Sequence, residues 1–395
     1  MFSSFNSKLI TQNSTLLSGG LYIHVPFCRK KCPYCDFLSI PYSKEAEAKY
    51  LKRLLGELKE KKRLVAKRPF NLKTLYVGGG TPSVLSLESI TKIVEAVKEA
   101  FFRDRPPVEA TIECNPESSS LKSFKKFKEL GFSRLSIGVQ DLTQRGLDAL
   151  DRPHGVIEAK NAIELAKEAG FEDISIDLIF GWPTQSKEEL LTTLDLVATL
   201  KAVTHISYYE LTIEENTKFY ELESLGRLEV LNQDTLWEFT EIIEDTLKKL
   251  GFTQYEISNF AKPGHEARHN TGYWKNLPYI GLGPSAVSYL PPRRWMNVRD
   301  LNLYLDPGFG EIPIEWEESL ENEESFRETL VIGLRMVEGV SIKGLEMRYG
   351  INPFDYYGQT LNELMEDNFL GLENDHLFLT KKGRRVANGV LSKLV

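Results

Sequence analysis

Cysteine is scarce in this chain, four among 395 residues, and three of the four fall close together, at Cys28, Cys32 and Cys35. So few cysteines exclude a disulfide framework, which belongs to short secreted chains with many pairs. Long apolar runs are missing too. Nothing approaches the roughly 20 residues that cross a bilayer, so no transmembrane segment is expected. Positive charge is not in excess: 49 Lys+Arg face 56 Asp+Glu, a net charge of −7. That balance argues against non-specific nucleic-acid binding. The stretch 1–18 lacks the charged-then-apolar profile of a secretory signal. It reads as a loose lead-in, with a short polar organellar leader as the alternative, and a cytoplasmic location is expected.

What is present is a globular chain, 42% hydrophobic and long enough for two or more domains. Strand-like segments at 21–25, 74–77, 109–113, 134–139, 174–180 and 205–211 are short and rich in β-branched or aromatic residues. Amphipathic stretches lie between them. Leu51, Leu54, Leu55 and Leu58 share one helical face, as do Ile90, Ile93, Val94 and Val97, and Phe239, Ile242, Ile243 and Leu247. Helices between consecutive strands imply parallel pairing with right-handed crossovers. The expected fold class is therefore α/β, a partial (β/α)6 barrel over 19–251. An aromatic and Gly-rich extension over 252–314 has few helical stretches. A run with six Glu over 315–324 reads as a solvated helix face or linker and marks a domain boundary. The remainder, 315–395, reads as a small α+β, winged-helix-like module, with helices at 325–337, 342–349 and 355–367, a hairpin at 370–379 and a last helix from Lys381.

In a parallel α/β array functional groups gather beyond the C-terminal ends of the strands. The CxxxCxxC loop follows the first strand-like segment, and Gly78-Gly-Gly-Thr-Pro82 follows the second. Glu113 ends the third, Gln140 follows the fourth, and Asp177 lies late in the fifth. Three thiolates at this spacing can hold three irons of a 4Fe–4S cluster and leave the fourth iron open. A zinc knuckle would use the same residues, but the only other cysteine, Cys114, is far along the chain. Arg29, Lys30 and Lys31 make the loop basic, which is expected to favour thiolates. Tyr34 and Phe37 could wall the cluster or pack beneath it. The glycines allow close backbone approach to a ligand, or form a tight turn. Arg152 reads equally as a surface ion pair or a site residue. Asp177, set in an apolar strand, needs hydrogen-bond partners. His265 and His269 lie in a run ending Tyr273-Trp274. The residues fit either a capped turn with core aromatics or an axial imidazole beside flat walls, as a haem requires.

Together these motifs resemble the HemN/HemW branch of the radical S-adenosylmethionine superfamily. The likeness runs from Leu21 into the C-terminal module and includes Tyr22-Ile-His-Val-Pro-Phe-Cys28, Val77-Gly-Gly-Gly-Thr-Pro82, Ser136-Ile-Gly-Val-Gln140, Leu150-Asp-Arg-Pro-His154, Asp177-Leu-Ile-Phe-Gly-Trp-Pro183 and Gly281-Leu-Gly-Pro-Ser-Ala286. The resemblance implies a 4Fe–4S cluster on Cys28, Cys32 and Cys35. It implies S-adenosylmethionine against Tyr22, Tyr34, Gly79, Gly80, Thr81, Glu113, Gln140, Arg152 and Asp177, with Leu211 and Val287 touching the adenine. The oxygen-independent coproporphyrinogen oxidases of this branch carry a further Cys two residues after the third ligand, where Phe37 stands here. They also have a longer N-terminal segment. The His269-Asn270-Thr-Gly-Tyr273-Trp274 run is similar to the haem-binding motif of the chaperone group, which implies haem on His269. The branch thus implies a haem chaperone serving haem-accepting proteins, membrane or storage haemoproteins among them, with homodimerisation open. The alternative is radical oxidative decarboxylation of coproporphyrinogen III.

Overall fold

The computed structural model describes residues 17–65, 70–103, 105–306, 308 and 314–395. All but the last two residues of the expected lead-in, 1–18, lie outside these. The first half of the chain alternates strand and helix: β1 (Leu17–Val25), α1 (Lys44–Val65), β2 (Phe70–Gly79), α2 (Leu87–Phe101), β3 (Glu109–Cys114), α3 (Leu121–Glu129) and β4 (Arg134–Gln140). There follow α4 (Gln144–Ala149), α5 (Val156–Glu168), β5 (Asp173–Phe180), α6 (Lys187–Thr199), β6 (His205–Glu210), α7 (Lys218–Ser224) and α8 (Gln233–Lys249). Strands β1 to β6 pair in sequence order and in parallel, as the alternation predicts. Side-chain caps start several of the crossover helices. Ser86 accepts from Ser89 N at the head of α2, and Ser186 accepts from Glu189 N at the head of α6.

Strands in a parallel sheet covered on both faces are usually apolar throughout. These alternate instead. One set of side chains, including Leu21, Ile23, Val25, Leu75, Val77, Ile112, Leu135, Ile137, Ile174, Ile176 and Ile206, is buried in the main hydrophobic cluster against the helices. The intervening set is Tyr22 and His24 on β1, Tyr76 on β2, Thr111 and Glu113 on β3, Arg134 and Ser136 on β4, Ser175 and Asp177 on β5, and His205 and Ser207 on β6. Strand geometry puts that set on the opposite face, so the inside of the array is polar.

The extension 252–314 is not a separate layer. Its strands β7 (Thr253–Gln254), β8 (Asn259–Ala261), β9 (Tyr279–Leu282), β10 (Val287–Leu290) and β11 (Arg293–Asn297), with β12 (Ile314–Ser319), join the same sheet. Among the described residues its order is β12-β11-β10-β9-β1-β2-β3-β4-β5-β6-β8-β7. Strand β9 runs parallel to β1, and β8 runs antiparallel to β6. The array is therefore open, with different partners on β1 and β6. Buried Glu57 of α1 helps hold the β9 side. It accepts from Gly283 N at 2.9 Å, Asn297 Nδ2 at 2.7 Å and Tyr304 Oη at 2.7 Å. Helix α9 (Arg268–Trp274) lies across β1 and β2 near their beginnings.

The acidic run expected as a helix face or linker divides differently. Its first half is the edge strand β12, whose Glu317 and Glu318 pair with Arg293 and Arg294 of β11. Charged side chains suit an edge strand because they discourage further pairing. Its second half opens α10 (Asn322–Gly333). The C-terminal module has its own hydrophobic cluster, centred on Phe326, Leu330, Leu345, Leu361, Leu377 and Leu394. Strands β13 (Val340–Ser341), β14 (Leu370–Glu373) and β15 (His376–Leu379) form a sheet ordered β13-β15-β14. The hairpin turns through Asn374 and Asp375, both at positive φ. The helix expected over 355–367 is two pieces, Pro353–Tyr357 and Gln359–Glu366, broken at Gly358 with φ 50°. The module seats on the end of α9. Arg348 donates to Asn276 O at 2.8 Å, and the Arg335 guanidinium lies 5.3 Å over the Trp274 ring.

Candidate functional site

The cysteine loop leaves β1 through a short strand, Phe27–Cys28, that pairs with Ile40–Pro41 and so closes the loop at its base. The glycine run after β2 binds this base. Gly80 N donates to Val25 O at 2.8 Å and Thr81 N to Phe27 O at 2.7 Å. Each glycine has its own reason. A Cβ on Gly78 would meet the Glu113 carboxyl at 2.8 Å, one on Gly79 would meet His24 at 2.7 Å, and one on Gly80 would meet Phe27 O at 2.6 Å. Gly79 is also at φ 108°, open to glycine alone without strain.

Thr81 Oγ1 donates to Cys28 Sγ at 3.4 Å, and Arg152 Nη1 approaches Cys32 Sγ at 3.2 Å. Arg152 is fixed by Asn115 Oδ1 at 3.0 Å and Gly138 O at 3.1 Å. The basic loop was expected to favour thiolates, but burial dominates. It raises the Cys28 thiol and pushes Cys35 up to about 11. Lys30 is drawn away to Asp151. The cation that touches a cysteine sulfur is Arg152, more than a hundred residues further on. Tyr34 packs beside Phe219 and shares Arg152, whereas Phe37 is 59% exposed. Among the described residues no group of three His, Cys, Asp or Glu is arranged to hold a single metal ion. A cluster needs no such convergence, since each thiolate binds a different iron.

All three cysteines open onto one cavity of about 420 Å³. It runs down the polar inside of the array to Arg134 and His205, the first residues of β4 and β6. Tyr34, Gly79, Gly80, Thr81, Glu113, Gln140, Arg152, Asp177 and Leu211 also line it. Gln140 sits at a register break, with φ 67°. Tyr22 and Val287 are not in the lining: Tyr22 is bonded to His24 Nδ1 at 3.1 Å, and Val287 faces Met296 across β10 and β11. Glu113 accepts from Tyr76 Oη at 2.7 Å and Gly79 N at 3.0 Å. Burial, with Asp177 adding, pushes its carboxyl up to about 7. Burial likewise raises Asp177 to about 6 against hydrogen bonds from Ser207 and Ser136. Two enclosed carboxyls in this state gain from a cationic or hydroxyl-bearing ligand. Three free thiols at the mouth and these carboxyls below fit an iron–sulfur cluster with a sulfonium nucleoside.

His269 is elsewhere. It lines a second cavity, of about 290 Å³, at the beginnings of β1 and β2 with Gly20, Thr74, Tyr273 and Tyr279. Both ring nitrogens are engaged, Nδ1 with Thr74 Oγ1 at 2.8 Å and Nε2 with Tyr273 Oη at 2.9 Å. The ring stacks on Tyr76 at 5.1 Å, and burial lowers it to about 3. As it stands, this imidazole offers no free nitrogen to a metal. Asn270, the next residue, lines the first cavity, and Trp274 lines a third one against the C-terminal module. Sequence reasoning did not pick out Thr74, Tyr76, Thr111, Arg134 or His205. The alternation of polar with apolar residues within these strands was the available signal.

The Radical SAM superfamily pattern matches residues 22–197, and the HemN C-terminal domain pattern matches 320–386. A protein of Bacillus subtilis named "Heme chaperone HemW" is 35% identical, over 93% of this chain and 97% of its own. The Lactococcus lactis protein of the same name is 32% identical, over 95% and 96%. The chain belongs to the HemW family. Coproporphyrinogen III oxidase (HemN) from Escherichia coli, a radical SAM enzyme, superposes with a TM-score of 0.82 over 98% of this chain and 92% of that one. At 21% identity that match establishes the shared fold. Among the described residues no helix is long and apolar enough to cross a membrane.

Proposed function

We propose that the protein is a haem chaperone of the cytoplasm, which carries a 4Fe–4S cluster and S-adenosylmethionine and binds haem for transfer to other proteins. The observation that carries the cargo is kinship, near one residue in three along the whole chain, with proteins named for that task. In this reading Cys28, Cys32 and Cys35 hold the cluster, and Glu113, Asp177 and Arg152 bind and orient the nucleoside. The cluster supplies an iron to anchor S-adenosylmethionine and an electron for its reduction. Thr81 at Cys28 and Arg152 at Cys32 temper the thiolate charge, and the glycine run lets the backbone come close. Phe37, in the place of the oxidase's additional cysteine, favours a carrier over porphyrinogen decarboxylation.

Haem reaches a nitrogen of His269 only if the imidazole gives up Tyr273 or Thr74, so uptake at this residue is coupled to the loss of one of these hydrogen bonds. The test is anaerobic haem titration of the cluster-reconstituted protein, with coproporphyrinogen III turnover assayed on the same preparation. Haem uptake without turnover is expected, and His269→Ala should weaken uptake and shift the Soret band. Turnover of the porphyrinogen would overturn the chaperone reading. An unchanged haem spectrum and affinity in His269→Ala would remove that residue as ligand.

A further inference from the structure

The lower end of the main cavity holds polar groups for which nothing above has a use. Thr111 and Arg134 are direct cross-strand partners on β3 and β4. Both line the cavity, with Asn270 of α9 beside them. Thr111 is fully buried, and its Oγ1 has no hydrogen-bond partner. Arg134 is 3% exposed. Its Nη2 donates to His265 O at 2.6 Å, but Nε and Nη1 have no hydrogen bond. The nearest carboxylate is Glu109, 3.7 Å from Nε. Both Glu109 oxygens are already committed, to Arg268 N at 2.8 Å and His269 N at 2.9 Å. The guanidinium is thus neutralised in charge by a neighbour that does not bond it.

Buried donors left unpaired are rare in folded proteins and are costly. A buried guanidinium with N–H groups to spare pairs with a carboxylate oxygen more strongly than with water, because the bond is charge-assisted. The inward direction is set by the strand: Arg134, Ser136 and Gly138 line the cavity, whereas Leu135, Ile137 and Val139 are in the hydrophobic core. The carboxyls lie higher, Glu113 level with Ser136 and Asp177 level with Gly138, about 7 and about 13 Å of strand above Arg134. The unspent donors at the floor are therefore separate from the carboxyls nearer the mouth.

We infer that Arg134 and Thr111 form a carboxylate-binding subsite at the floor of the main cavity. Two sources carry such a group: a propionate of the porphyrin, which rests on the haem-carrier reading, and the methionyl carboxylate of a sulfonium nucleoside held at the floor and not by the cluster iron. The test uses full-length, cluster-reconstituted protein under anaerobic conditions and two matched pairs of probes. One pair is haem and haem dimethyl ester; the other is S-adenosylmethionine and its decarboxylated analogue. Affinities are compared in the parent protein, Arg134→Gln, Arg134→Lys and Thr111→Val.

The subsite predicts that one pair is discriminated by about tenfold or more in the parent. The discrimination collapses in Arg134→Gln, recovers in part in Arg134→Lys and weakens in Thr111→Val. The pair that behaves so identifies the source. Discrimination that survives Arg134→Gln in every pair that shows it, or is absent from both pairs in the parent, overturns the subsite. If the parent binds neither haem probe, the haem-carrier reading fails, and the nucleoside pair still decides the subsite. If Arg134→Gln does not hold its cluster or melt cooperatively, Thr111→Val, which keeps the charge, decides in its place.

Discussion

At the C-terminal ends of β1 to β6 polar groups converge on open space, and several keep capacity to spare. Three thiols have no partner among themselves, and two carboxyls are held near neutrality by burial. In the second cavity, by contrast, the imidazole has been used up. His269 is bonded at both nitrogens, stacked on Tyr76 and pressed against Gly20, where a Cβ would come within 2.7 Å of its ring. The first region is organised to receive something. The second is organised to stay shut until a bond is exchanged. Tyr76 joins them, with its ring on His269 and its hydroxyl on Glu113.

The sharpest break of this contrast is at the mouth. Replacing Cys28, Cys32 or Cys35 by Ala should abolish cluster assembly, read as iron and sulfide content after reconstitution; full retention in all three would end the cluster assignment. Next come the carboxyls. Glu113→Gln and Asp177→Asn should each weaken S-adenosylmethionine by about tenfold to a hundredfold, as expected when a charged hydrogen bond is removed from an enclosed site. In the parent, affinity for this cation should rise with pH across the interval between about 6 and 7, where these groups ionise.

The two regions should also respond oppositely to pH in the cofactor-free protein. Glu113, raised from 4.5 to about 7, keeps a proton that the unfolded chain has released, so its contribution to stability falls as pH rises through that interval. His269, lowered from 6.5 to about 3, refuses a proton that the unfolded chain takes up. Its contribution is present above 6.5 and is lost as pH falls towards 3. Urea midpoints against pH for Glu113→Gln and His269→Phe should therefore deviate from the parent with opposite slopes. Gly20→Ala should cost about 1–3 kcal/mol by overpacking the imidazole, seen as a lower melting temperature with the cluster intact. The mildest effect is expected of Tyr273→Phe. It frees His269 Nε2 from one neutral hydrogen bond and should raise haem affinity about fivefold; no gain would mean that Tyr273 does not hold the ring shut.

Much of the mouth could be read in the residues because its parts are contiguous. Cys28 to Cys35, the glycine run and the six strands are local patterns, and the strands appear within a few residues of where β-branched runs place them, although β1 and β2 begin four residues earlier. The floor was not legible in the same way. His269 meets Thr74 across 195 positions and Arg134 meets His265 across 131, and no local spacing announces such pairs. The extension looked irregular because its strands are short and interrupted at Gly283 and Pro291-Pro292; only pairing with β1 and β6 makes them sheet. The acidic run looked helical or solvated because its partners, Arg293 and Arg294, lie on a strand more than twenty residues earlier.

Helix α9 is seven residues long and touches all three cavities, through Asn270, His269 and Trp274. It is a party wall. Consecutive residues on a helix point about 100° apart, so neighbours in its sequence look into different rooms. A substitution at position 269 is then made in a wall that also faces the other two cavities and the seat of the C-terminal module, and its effect on haem acquires meaning when nucleoside binding and module docking are measured in the same variant.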